Sequence, residues 1–255
     1  MRILICVGVI SGFILLHIIK LMRMYLILMD CRIEFERFVP AYLRTTFINL
    51  IIPFKLGEIY RIAEFWRISK GVKTGFFSVL VDRFFDTLAL VTILVVSKMM
   101  LGGHVSVPVI LLIAFLIAVV VMYMIFPSSF MFLNRYIITT KVSQRSMTAL
   151  KWLEIFNDWY MYVKTLVVGR YGILILLSVL AWILEISVYG GFVVIMGGKF
   201  TESDFGKYID SIVTGATNSV SVRYTIFSIV TICVLLISSS IYYAVVVNKK
   251  KHKQM

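Results

Sequence analysis

Two ionisable residues follow a broken apolar segment in the first quarter of the chain. The segment, residues 47–54, contains Pro53 and is followed by Gly57. Proline has no amide hydrogen and clashes with the preceding turn, so a helix that enters here should end or kink within a few residues. Glu58 and Arg61 come directly after the break, three residues apart, and therefore share a face of the helix that resumes. Their chemistry suits either an ion pair or the binding of a charged ligand.

A second charged group lies inside a long apolar run. Asp82 and Asp86 share a helical face at a spacing of four, and Arg83 reaches Asp86 at a spacing of three. Ionisable groups in a membrane span are costly unless they are paired or hydrated. Two interpretations stay open. The groups form a salt-bridge network that fixes the broken segment to this run, or they hold a lipid phosphate or its head group, with Arg61 and Arg83 as forked donors.

A carboxylate in a later apolar run needs a similar explanation. Glu185 lies about fourteen residues into the run 172–196, near the middle of a membrane span. Such a group is suited to bind the ammonium of a head group or to relay a proton. Alternatively, Trp182, Tyr189 or a serine of a neighbouring helix holds it in the neutral form.

The composition requires that membrane helices position these charges. Of 255 residues, 60% are hydrophobic and 15% charged, and the mean hydropathy is +0.96. Soluble domains are about 45–50% apolar and about 25% charged. The sequence therefore predicts an all-α, polytopic integral membrane protein with about five spans, at least one re-entrant hairpin and an interfacial amphipathic helix. The predicted spans are residues 3–19, 76–96, 107–126, 172–196 and 224–247.

Basic residues predict the orientation of the spans. The net charge is +13, and the segments 20–75, 127–171 and the C-terminal tail hold 20 of the 26 lysines and arginines. Because basic residues concentrate on the cytoplasmic side, we expect the N-terminus outside and the C-terminus inside the cell membrane of a prokaryote. We also expect contact with anionic lipids at the cytoplasmic face. Residues 1–248 form one membrane domain and residues 249–255 a basic cytoplasmic tail. No motif predicts nucleic acid as a partner.

Segment 127–171 combines aromatic and charged residues. Pro127 is expected to close the preceding span, and Trp152, Phe156 and Trp159 lie among residues such as Lys151. This pattern predicts the amphipathic helix, anchored at the membrane interface or packed against neighbouring spans. The three cysteines and three histidines are scattered along the chain, so we expect no metal and no cofactor.

Taken together, the spacing of these residues resembles a known family, the lysylphosphatidylglycerol synthase/flippase transmembrane family. The motif residues are Asn49, Pro53, Gly57, Glu58 and Arg61, followed by Asp82, Arg83 and Asp86. A looser match to a later span of that family is the stretch 181–198, which contains Trp182 and Glu185.

The resemblance implies a polytopic domain with re-entrant helices that moves an aminoacylated or lipid-linked head group across the cytoplasmic membrane. It also implies that the ten motif residues bind this lipid substrate. The family's second-half segment with proline and glutamate has no counterpart in residues 214–223, so a second hairpin stays open. Only eight residues follow Val247, and we therefore do not expect a soluble aminoacyl-transferase domain or synthesis of the lipid by this chain.

Two other functions stay open. In the first, the chain is a membrane-embedded transferase acting on a lipid phosphate, with Asp82 and Asp86 as a metal-binding or general-base pair. Alternatively, it is a non-transporting subunit that recruits a cytoplasmic transferase through segment 127–171. A homo-oligomer is compatible with each function.

Overall fold

The computed structural model of this protein describes residues 2–52, 56–101, 107–140, 144–201, 208 and 219–252. The helices in these ranges are α1 (Arg2–Leu28), α2 (Phe35–Ile51), α3 (Gly57–Ser69), α4 (Val72–Leu101), α5 (Val107–Thr140), α6 (Gln144–Val167), α7 (Tyr171–Ile195) and α8 (Ser219–His252). A short 3₁₀ helix, Met29–Cys31, follows α1. No strand occurs in the described ranges, and the all-α prediction is confirmed.

Within the same ranges, four helices are long and apolar enough to cross a membrane. They cover Ile3–Cys31, Val109–Thr139, Tyr171–Ile195 and Ser219–Val245. These helices correspond to four of the five predicted spans and make the protein a multi-pass membrane protein. The other predicted span, residues 76–96, lies inside the 30-residue helix α4, which carries Asp82, Arg83 and Asp86. Its passage through the membrane stays a prediction.

Two predicted span boundaries are wrong. Helix α1 does not end at residue 19 but continues to Leu28, so Lys20 and Arg23 belong to the helix and not to the inner segment in which they were counted. The third span does not close at Pro127, because α5 continues through this proline to Thr140. A proline removes a single helical hydrogen bond, and membrane helices tolerate this loss.

The chain divides into two compact units. The first comprises Met1–Asp82 and Leu176–Met255. In this unit α2 packs against both α3 and α8, and the rings of Phe38 and Phe65 stack with centroids 5.9 Å apart. Helices α1 and α7 approach closely at Gly12, where an added β-carbon would lie 2.9 Å from Val188 Cγ2.

The second unit, Arg83–Ile175, contains the packed pair α5 and α6. The ring centroid of Tyr160 on α6 lies 5.0 Å from those of Tyr123 and Phe126 on α5. Trp152 and Phe156 on α6 are exposed. Packing against a neighbouring span, one of the two roles left open for this segment, is thus present at Tyr160. An interfacial position of α6 stays a prediction.

Candidate functional site

The predicted break after the apolar segment is confirmed. Helix α2 ends at Ile51 and α3 begins at Gly57, while Pro53 lies outside the described residues. A β-carbon at Gly57 would lie only 2.5 Å from the Asn49 Cα, so a glycine is needed where the two helices meet. Asn49 Nδ2 donates a hydrogen bond to Glu58 Oε1 over 3.1 Å. Asn49, Gly57 and Glu58 therefore hold α2 and α3 together as a helical hairpin.

Asp82 is the centre of a buried ion-pair network in the first unit. Arg23 Nε donates to Asp82 Oδ1 over 2.8 Å, and Arg61 Nη2 lies 3.3 Å from Asp82 Oδ2. The side chains of Arg23 and Asp82 are 1% and 0% exposed. Arg23 Nη1 also donates to Ser178 Oγ on α7 over 2.9 Å. The network thus joins α1, α3, α4 and α7 at one point.

Arg61 has binding capacity that the described residues do not use. Its Nη1 lies 3.8 Å from Glu58 Oε2, which confirms the predicted proximity of these two side chains. Its guanidinium carbon lies 5.8 Å from the ring centroids of both Tyr42 and Phe65. Its Nε is buried and has no hydrogen-bond acceptor among the described residues. A buried donor without a partner costs about 1–3 kcal/mol, and a ligand oxygen at this atom would recover that cost.

Glu185 has a cation and two tyrosines as partners. Lys20 Nζ lies 2.7 Å from Glu185 Oε2, and the hydroxyls of Tyr208 and Tyr224 donate to Oε1 over 2.7 and 3.1 Å. Burial, reinforced by the Glu185 carboxylate, raises the pKa of Tyr208 well above its usual value, so its hydroxyl stays protonated and donates. Trp182, one turn away on α7, is buried. The carboxylate is therefore held as the acceptor of a cationic group.

The two parts of the site are neighbours on α1. Lys20 and Arg23 are three residues apart and therefore share a helical face. On α7 their partners Ser178 and Glu185 are seven residues apart, which is two helical turns. The interface of α1 and α7 thus carries two polar contacts, Lys20 with Glu185 and Arg23 with Ser178, between otherwise apolar helices.

Arg83 and Asp86 lie in the second unit and pair with each other. Arg83 Nη1 lies 3.6 Å from Asp86 Oδ2, as their spacing predicts. Asp82, by contrast, has an arginine on each carboxylate oxygen, which neutralises the charge that a metal ion would require. Among the residues with described coordinates, no group of three or more His, Cys, Asp or Glu side chains is arranged to hold a metal ion.

Several site residues were not found from the sequence. The basic-residue pattern predicts Lys20 and Arg23 in a loop, although the apolar residues that follow them up to Leu28 signal a longer span. Tyr208 and Tyr224 have no local signal, because their contact with Glu185 spans 23 and 39 residues of sequence.

Long apolar helices that enclose buried ion pairs define a multi-pass helical membrane protein. The chain belongs to the lysylphosphatidylglycerol synthase transmembrane family, since the family model described as "Lysylphosphatidylglycerol synthase TM region" matches residues 1–201. This match confirms the resemblance that the motif residues indicated. Comparisons with proteins of curated function and with solved structures found no match. The matched region includes Lys20, Arg23 and Asp82, whereas Tyr208 and Tyr224 lie beyond it.

Proposed function

We propose that this protein translocates a polar-headed membrane lipid, such as an aminoacylated phospholipid or a lipid-linked saccharide, from one leaflet to the other. The observation that carries the proposal is the buried network of Arg23, Arg61 and Asp82, formed by three helices of a membrane protein. Ionisable groups inside membrane proteins are rare, and they mark substrate or ion pathways in many of these proteins. Family membership is consistent with a lipid substrate.

The arginines supply a phosphate-binding centre. Asp82 accepts a hydrogen bond from Arg23 on Oδ1 and forms an ion pair with Arg61 at Oδ2, and a phosphate group presents oxygens of the same charge and similar spacing. A phosphate that approaches Arg61 would also gain its unused Nε donor. The phosphate of the head group therefore replaces Asp82 as the partner of the two arginines while the lipid passes. After the lipid has left, Asp82 pairs with both arginines again.

Glu185 supplies the complementary acidic position. It binds the Lys20 ammonium at 2.7 Å, and the ammonium of an aminoacylated head group is able to take the same place. Lys20 and Arg23 are separated by about 4.5 Å along α1, from a rise of about 1.5 Å per residue. A head group that carries both a phosphate and an ammonium is thus complementary to two adjacent parts of one site.

The broken hairpin α2–α3 would form the wall of the pathway. We propose that it is re-entrant, that α4 is a fifth span, and that the N-terminus lies outside and the C-terminus inside. Two short helices joined by a break next to charged residues are typical of transporter substrate sites, because irregular backbone at membrane depth is tolerated where it lines a hydrated cavity. The lipid tails stay in the bilayer while the head group moves along this wall.

Reconstituted protein tests the proposal. The purified chain is placed in liposomes with labelled aminoacyl-phosphatidylglycerol or a labelled lipid-linked saccharide, and the appearance of the label in the opposite leaflet is timed. Arg61→Gln and Glu185→Gln each remove a site charge, and we expect at least tenfold slower translocation. The matched controls Arg135→Gln and Glu154→Gln remove exposed charges on α5 and α6 and should leave the rate unchanged.

The assay also gives results that would contradict the proposed mechanism. All four variants are first checked for folding by thermal unfolding in detergent. Wild-type rates in folded Arg61→Gln and Glu185→Gln protein would contradict the mechanism, as would the absence of translocation of either lipid by the unmodified chain.

A further inference from the structure

A charged cavity, which we call the α2–α3–α8 cavity, lies within the first unit. It has a volume of about 370 Å³ and is formed by α2, the end of α3 and the C-terminal half of α8. Its charged lining residues are Arg37, Arg44, Glu64, Arg67 and Lys70. Neither Arg61 nor Asp82 lines it, so the cavity is separate from the network described above. Four cations face a single carboxylate.

Glu64 orients two of these cations. It is 6% exposed and accepts at Oε1 from Arg44 Nη1 over 3.0 Å and from Arg67 Nη2 over 2.6 Å. The two arginine side chains keep 42% and 68% of their surface exposed. A guanidinium has five N–H donors in a planar fork, so donors remain at the cavity after the bond to Glu64. The buried carboxylate thus fixes two forks that face a common space.

The cavity keeps an excess of positive charge. Lys70 has no ion-pair partner within the described ranges of the chain, and it ends α3 in the left-handed conformation with φ 56°. Arg37 pairs with the exposed Glu34 at 3.1 Å, outside the lining. Ser240 and Tyr243 of α8 line the opposite side and add hydroxyl groups. Cations and hydroxyls around a concave space provide the donors that an anion with several oxygens requires.

We propose that this cavity binds a phosphate-bearing anion, supplied either by the head group of an anionic lipid or by a small soluble phosphate ester. The guanidinium forks of Arg44 and Arg67 match phosphate oxygens in geometry, and Lys70 adds a point charge. The volume lies in the range of small-molecule sites, about 300–1,000 Å³. This binding site does not depend on the proposed translocation of lipid.

Two binding measurements on the full chain in a non-ionic detergent without phosphate groups distinguish the sources. Native mass spectrometry counts the molecules of phosphatidic acid retained by the protein, and calorimetry measures the binding of glycerol 3-phosphate. Phosphatidic acid binding alone identifies the lipid as the source. Glycerol 3-phosphate binding identifies a soluble ester, and both results support the proposal.

Single substitutions locate the binding. We expect Arg67→Gln and Lys70→Asn each to weaken the binding about tenfold, because each removes a charge-assisted contact. Lys70→Asn should fold normally, since asparagine tolerates positive φ. If Arg67→Gln is unstable, Lys70→Asn alone shows whether the anion binds in this cavity. Arg135→Gln, on the exposed surface of α5, should bind as the unmodified chain does.

Three results would overturn the proposal. The first is no binding of either probe by the unmodified protein. The second is unchanged binding in folded Lys70→Asn. The third is an equal loss in Arg135→Gln, which would show attraction to overall charge and not to this cavity.

Discussion

Asp82 depends on two residues that are distant in sequence. Its carboxylate is fully buried, and Arg23 and Arg61 each bind one of its oxygens. Taking these charges out of water is costly, and their mutual attraction offsets the cost only while all partners are in place. Removal of one partner from such a group typically destabilises a protein by about 3–5 kcal/mol, because the remaining charge is left buried without compensation.

A comparison of two aspartates on α4 tests this dependence. We expect Asp82→Asn to lower the free energy of unfolding by about 3 kcal/mol, since it leaves two buried arginines facing a neutral amide. Asp86→Asn removes a carboxylate whose ion pair with Arg83 is partly exposed, the arginine side chain being 40% exposed, and should cost about 1 kcal/mol or less. Thermal or denaturant unfolding in detergent measures both losses. Equal losses would show that Asp82 is not the centre of the network.

The number of residues between two partners in the sequence determined which contacts were predictable. Glu58 with Arg61 and Arg83 with Asp86 were predicted because residues three apart on a helix must face the same way. Arg23 with Asp82 and Lys20 with Glu185 are 59 and 165 residues apart. These contacts arise from the packing of whole helices, which no local spacing encodes. The charges were thus predictable as a set, but their partners were not.

At the scale of elements, the hairpin α2–α3 depends on the absence of a side chain at Gly57. An alanine there would place its β-carbon 2.5 Å from the Asn49 Cα, and backbone is not free to move aside as a flexible side chain would. The hydrogen bond between Asn49 and Glu58 would be lost with the displacement. The hairpin would then no longer hold Arg61 in its place beside Asp82.

Gly57→Ala should therefore destabilise the protein by about 1–3 kcal/mol, the usual cost of overpacking. The matched control is Gly172→Ala, also near the start of a helix, where an added β-carbon meets nothing within 4 Å. This control should be neutral or slightly stabilising, because alanine favours helix over glycine. The midpoint of thermal unfolding compares the two variants. A stable Gly57→Ala protein with normal translocation would show that the close approach is not required.

Helix breaks were only partly predictable. The break after α2 was found because Pro53 and Gly57 act together within a short segment. Pro127 was expected to act in the same way, yet α5 passes through it. A single proline removes one hydrogen bond, and the apolar residues on both sides keep the helix favourable in a membrane. Proline alone therefore does not determine where a membrane helix ends.

At the scale of the whole molecule, orientation rests on fewer cations than the sequence suggested. Lys20 and Arg23 lie within α1 and no longer count as loop charges. Arg135 likewise lies within the helix Val109–Thr139, so segment 127–171 keeps five of its six lysines and arginines, and residues 249–251 are three lysines. These charges still favour the cytoplasm for both segments.

A reporter fused to the C-terminus of the full chain tests this orientation in bacteria. We expect green fluorescent protein at this position to fluoresce and alkaline phosphatase at the same position to be inactive, because the phosphatase matures only outside the cytoplasm. The reciprocal fusion to the N-terminus, with active phosphatase, is the control. Active phosphatase at the C-terminus would reverse the proposed orientation.

The C-terminal helix contributes residues to both candidate sites, although the family match ends at residue 201. Helix α8 supplies Tyr224 to Glu185 and lines the α2–α3–α8 cavity with Ser240 and Tyr243. It also packs against α2. Both candidate sites therefore require residues on each side of the family boundary.

The positions of Lys20 and Arg23 on α1 also have a consequence for the insertion of this helix into the membrane. The ribosome releases Lys20 and Arg23 long before Asp82 and Glu185 exist, so the first nascent helix enters the bilayer with two uncompensated cations. An isolated cation is expelled from hydrocarbon toward the aqueous boundary. We therefore expect the end of α1 that carries these cations to stay near the lipid surface and to reach its final position only when α4 and α7 have been synthesised.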